Sequence, residues 1–163
     1  MKKLLIDLDI SKLIFISLQV ALEIPTEVKL SQDIVSYCCS SLVFLANQPL
    51  RTEIFFKYGV LESLLNNMQK DFSSGSGPSQ EVQICCLKAI RAMSDSYPEC
   101  SSYIVSVDAD RLICDSANFL SDVIIDRKLD SKFDGAAVVT MIEHIVTSQD
   151  DDDYHGDNKC LLS

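Results

Sequence analysis

Apolar residues recur along this chain at helical spacing, in stretches broken by proline and glycine. Residues 10–22 read as a helix, with Leu13, Ile14, Ser17, Leu18 and Leu22 near one face and Pro25 ending it. Ser31 is the expected N-cap of a long helix reaching Ala46. Its apolar positions Ile34, Cys38, Leu42 and Leu45 follow i, i+4, i+8 and i+11. Pro49 opens a short helix through Lys57, and Gly59 fits the position just past its end, where the chain turns with positive φ. A further helix spans Val60 to Gln69, with Leu61, Leu64, Leu65 and Met68 inward. Residues 70–80, rich in serine and glycine, form a loop. Ser79 can cap the next helix, Glu81 to Ser94, with Val82, Cys86, Ile90 and Met93 inward. Pro98 suits the first turn of another short helix. Asp108 or Asp110 starts a helix running to about Ile125, and Ser131 starts the last one, ending near Thr147.

The pattern repeats. Ile34, Cys38, Leu42 and Leu45 return as Val82, Cys86, Ile90 and Met93, each 48 residues on. A weaker third set, Asp134, Val138, Ile142 and Ile145, follows after 52 more. An acid precedes the first two sets, as Asp33 and Glu81. One helical hairpin or triplet cannot cover its own apolar stripe, so repetition implies stacked copies that bury the stripe between them. The expected fold class is all-α.

The residues Arg51 to Ile54, the corner at Gly59, the segment Val60 to Leu65 and the long run from Glu81 to Met93 together resemble an armadillo repeat. Such a repeat has a short helix, a glycine corner, a second helix and a long third helix. The resemblance covers residues 30–147 and implies a right-handed α-solenoid of about two and a half repeats. Residues 32–46, 81–94 and 132–147 would be successive third helices. Residues 1–29 would form an N-terminal capping region, and residues 148–163 a disordered acidic tail. The glycine corner of the next repeat is replaced by Asp108-Ala109-Asp110, and aspartate tolerates a left-handed backbone.

Third helices line the concave side of such a solenoid, which points to a partner-binding surface there. Armadillo proteins that clamp extended peptides carry a tryptophan and an asparagine on each third helix. Here the tryptophan-like positions hold Ser40, Lys88 and Thr140, and the asparagine-like positions hold Phe44, Ala92 and His144. The peptide-backbone ladder of nuclear-import adaptors and catenins is therefore missing. What remains is a mixed polar and apolar groove, also lined by Ser36, Ile84 and Ala136 and extended by Asn47 and Asp95. Phe44 is the expected anchor, because an aromatic ring on a surface is a strong binding element.

Composition narrows the function classes. Hydrophobic residues make up 47% of the chain, which excludes a disordered protein. The net charge is −10, and an acidic body disfavours nucleic acid, whose binders need a basic face. The seven cysteines are odd in number, the pairs Cys38-Cys39 and Cys85-Cys86 lie in apolar runs, and no zinc-type spacing appears. Cysteine therefore reads as a small core residue in a reducing compartment, cytosol or nucleus. The apolar start, Met1 to Leu5, is interrupted by Asp7, Asp9 and Lys12, unlike a secretory leader. His144 has no nucleophile or second histidine arranged around it, and no phosphate loop is visible. Asp151, Asp153 and Gly156 lack the glutamate that a calcium loop needs at its twelfth position.

The expectation is a non-catalytic scaffold or adaptor that binds a protein partner, with no cofactor and no metal. The alternative comes from Cys160-Leu161-Leu162-Ser163, which fits the C-a-a-X prenylation pattern and would make the chain a membrane-peripheral regulator anchored through Cys160. With so few repeats, exposed apolar end faces would call for an oligomer or a larger solenoid assembly.

Overall fold

A computed structural model describes residues 2–23, 29–69, 80–127 and 135–156. Among them all regular structure is α-helical: α1 (Lys2–Glu23), α2 (Lys29–Leu45), α3 (Pro49–Lys57), α4 (Val60–Gln69), α5 (Gln80–Ser96), α6 (Pro98–Ser106), α7 (Asp110–Arg127) and α8 (Gly135–Gly156). The chain divides into two compact units, Met1–Cys100 and Ser101–Ser163, with α6 crossing the boundary.

Local chemistry sets the corners of the first unit. Pro49 starts α3 with φ already suited to a helix and no backbone N–H to leave unpaired. Gly59 ends the turn after α3 with a φ of 77°. Its N–H donates to the Phe56 carbonyl at 2.9 Å, and the Tyr58 N–H donates to Ile54 at 3.1 Å. A Cβ at Gly59 would meet only the Glu62 carboxylate at an ordinary 3.8 Å, so the glycine is needed for its backbone and not for space. In the second unit the α6–α7 turn has the same left-handed step at Asp108, with a φ of 52°. Aspartate thus makes the corner that glycine makes earlier.

The first unit packs α2 against α5 and α1 against α2, with α1 also reaching α3 and α4. Its core includes Leu18, Val35, Leu42, Phe55, Leu64, Met68, Cys86, Ile90 and Met93. Burying a side chain of this kind stabilises by roughly 1.5–3 kcal/mol. In the second unit α7 packs against α8, and Ile113, Leu120, Val138 and Ile142 are buried.

Several expectations shift. α1 begins at Lys2, not at residue 10. Leu13 is exposed, and the inward face is Ser11, Leu18 and Ala21. Ser31 does not cap α2 but lies inside it, buried, donating its hydroxyl to the Ala21 carbonyl at 2.6 Å. The inward face of α2 is rotated, with Val35, Cys39 and Ala46 buried while Ile34 and Leu45 are half-buried. Residues 148–156, expected to be unstructured, continue α8 as helix. Pro25, the 70–79 loop with Ser79, Ser131 and Asp134 lie outside the described residues.

Candidate functional site

The C-terminal ends of α2 and α5 enclose an open groove of about 590 Å³. Ser40, Val43, Phe44, Ala46 and Asn47 come from α2 and the turn after it, and Pro49 opens α3. Ala92, Asp95 and Ser96 come from α5. The 48-residue register explains the pairing: Phe44 corresponds to Ala92, and Asn47 to Asp95. A large ring from α2 and a small side chain from α5 therefore line the same groove, and the small one leaves the space.

Two of the lining residues, Ala46 and Ser96, are held by a buried hydroxyl outside the lining. Thr52 of α3 is buried, with its hydroxyl 3.2 Å from the Ala46 carbonyl and 3.1 Å from the Ser96 Oγ. This one hydroxyl ties together the ends of α2, α3 and α5. Around the rim, the Ser40 hydroxyl donates to the Ser36 carbonyl at 2.9 Å. The Asn47 amide donates to the Phe44 carbonyl at 3.3 Å, which leaves its carbonyl oxygen as an acceptor. Arg91 pairs with Asp95 at 3.7 Å, with Arg91 half-buried and Asp95 exposed, so the pair contributes little and the carboxylate can exchange partners. The Phe44 side chain stands 77% exposed at the lip.

Of the residues expected in a binding surface, Ser40, Phe44, Asn47, Ala92 and Asp95 come together here. Lys88 is half-buried one turn earlier on α5 and is not part of the lining. Its charge acts instead on Cys85, whose thiol burial pushes up while a hydrogen bond with Ser36 and the Lys88 ammonium pull it down. Ser36 is half-buried, and Ile84, expected in the groove, is buried. Thr140, His144 and Ala136 are exposed on α8 in the second unit. Cys160 lies outside the described residues. Val43, Ala46, Pro49 and Ser96 were not anticipated. The signal for Ala46 and Pro49 was the short turn between the end of α2 and Pro49, which keeps the start of α3 beside it.

The cysteines serve packing. Cys38, Cys39 and Cys86 are buried, whereas Cys85 is half-buried. The Cys39 thiol donates to Cys86 Sγ at 3.9 Å, and Asn67 donates to the same sulfur at 3.7 Å. The bond to Cys86, and then burial, hold the Cys39 thiol well above its ordinary 9.0. Burial and the nearby Glu99 push Cys100 up to about 12. All six cysteines among the described residues are free thiols.

No group of three or more His, Cys, Asp or Glu side chains placed to hold a metal occurs among the described residues. None of the helices, as far as they are described, is long and apolar enough to cross a membrane. No family model, curated protein or solved structure matches the chain.

Proposed function

We propose that this chain is a non-catalytic protein-interaction module that binds a short peptide or helix of a partner in the groove between α2 and α5. Its helices would stack as an armadillo-like solenoid of about two and a half repeats, in a reducing compartment such as the cytosol or nucleus. The observation that carries the reading is the groove itself. Five residues singled out by repeat position, Ser40, Phe44, Asn47, Ala92 and Asp95, line one depression. The side-by-side packing of α2 and α5 and the two left-handed corners support the solenoid.

The lining specifies the ligand. Phe44, Val43, Ala92 and Pro49 offer an apolar wall for one aliphatic or aromatic side chain. Asp95 and the Asn47 carbonyl would accept hydrogen bonds from a lysine, an arginine or a backbone amide beside it. A displayed peptide library selected on the whole chain tests this. Selected peptides should pair an apolar residue with a basic one. Phe44→Ala and Asp95→Lys should each weaken binding roughly tenfold, with unchanged far-UV circular dichroism. Selected peptides that bind both variants as well as they bind the parent chain would refute the site.

A further inference from the structure

The outer face of the α1–α2 pair is apolar and uncovered. Ile10, Leu13 and Val20 of α1 and Leu30, Tyr37 and Phe44 of α2 are 43% to 77% exposed. Helical geometry puts them on one side. Phe15 stacks on Tyr58, and Gln19 hydrogen-bonds Ser63, so that flank of α1 meets α3 and α4. Leu13 and Val20 lie round the helix from it. On α2, Cys39 touches Cys86 of α5. Leu30, Tyr37 and Phe44, each seven residues apart, form an exposed row turned away from Cys39, and its last member, Phe44, also stands at the lip of the groove.

We infer that this face joins two copies of the chain about a two-fold axis, with α1 on α1 and α2 on α2, each pair antiparallel. Three observations specify a second copy. The first is area. Six side chains of roughly 200 Å² each at these exposures leave on the order of 800 Å², the share of one partner in a standard interface.

The second is symmetry. Ser31 bonds to Ala21 and Cys38 to Ile14, which fixes the antiparallel level of α1 against α2 and sets residue 15 beside Tyr37. One axis at that level places Tyr37 on its own counterpart and Leu30 of one copy opposite Phe44 of the other. The same axis sets Ile10 opposite Val20. Both helices thus obey one two-fold operator, as a self-complementary interface must.

The third is charge. The chain carries −10, yet residues 10–21 and 29–45 hold a single acid, Asp33, and two lysines, Lys12 and Lys29. Copies can meet here without the acid-to-acid repulsion expected elsewhere on the surface.

Light scattering coupled to size exclusion, on the whole chain at micromolar concentrations, tests the inference. The expected particle has twice the 18.1 kDa chain mass. Tyr37→Lys should halve that mass with unchanged circular dichroism. Ile10→Lys and Val20→Glu should each dissociate alone, and an equimolar mixture should recover the dimer through the new Lys–Glu pair across the axis. A single-chain mass for the parent protein would overturn the inference. So would an open-ended ladder of sizes from head-to-tail docking, a dimer indifferent to Tyr37→Lys, or a mixture that stays dissociated. Phe44 belongs to both surfaces, so peptide and partner copy would compete for it, but none of the substituted residues lines the groove. A failure here therefore leaves the peptide-binding reading standing, and loss of peptide binding in a parent chain that still dimerises through Tyr37 leaves this inference standing.

Discussion

α2 and α5 carry the same apolar rhythm 48 residues apart, yet they are buried differently. Cys38 and Leu42 of α2 are buried like their counterparts Cys86 and Ile90 of α5. The flanks diverge. Tyr37, Ser41 and Phe44 are exposed, whereas their counterparts are half-buried at Cys85, buried at Ala89 and half-buried at Ala92. On α5 this flank lies beside α2, as the Cys85–Ser36 hydrogen bond and the shared groove show. Cys85 and Ala92 are small where α2 presses close, and Tyr37 and Phe44 are large where no helix covers them, while Ser41 and Ala89 differ in burial alone. Periodicity fixes which face turns inward, but the neighbour decides what a lateral position must be.

Substitutions at matched positions of α2 and α5 should separate the two kinds of position. The largest effect should come from the shared inward face. Leu42→Ala and Ile90→Ala each remove a fully buried side chain, and each should cost roughly 2–5 kcal/mol in urea unfolding. A cost at Leu42 near zero would mean that α2 is not packed as α5 is. The next effect separates the flanks. Ala89→Leu forces three carbons into a filled site and should cost about 1–3 kcal/mol. Ser41→Leu, at the matching exposed position, should stay within about 0.5 kcal/mol. Equal costs at the two positions would dissolve the distinction.

The smallest effects compare the two corners. Gly59→Ala should cost about 1–2 kcal/mol, because alanine resists the left-handed backbone although it has room there. Asp108→Gly should raise stability by less than about 1 kcal/mol, since it relieves a milder strain. A destabilised Asp108→Gly would show that the aspartate side chain, and not only its backbone, holds that corner.

What could be read from the sequence follows the same physics. The bounds of α3 and α4 were legible because Pro49 and Gly59 act on the backbone itself, whatever surrounds them. Ser31 was misread because its hydroxyl answers a carbonyl on α1, a tertiary partner that no local pattern reveals. The early start of α1 was hidden by Asp7 and Asp9, whose charges break an apolar run without breaking a helix. The groove was legible where the repeat register alone decides position, as at Phe44 and Ala92. Lys88 was misjudged because helical spacing does not tell how far along α5 the opening extends.

Whether a peptide occupies the groove between α2 and α5 can be read from a two-dimensional amide NMR titration of the whole chain with a library-selected peptide. The amides of Ser40, Phe44, Asn47, Ala92 and Asp95 should shift together and saturate at one stoichiometry. Shifts confined to α8, or no shifts on α2 and α5 at saturating peptide, would contradict it.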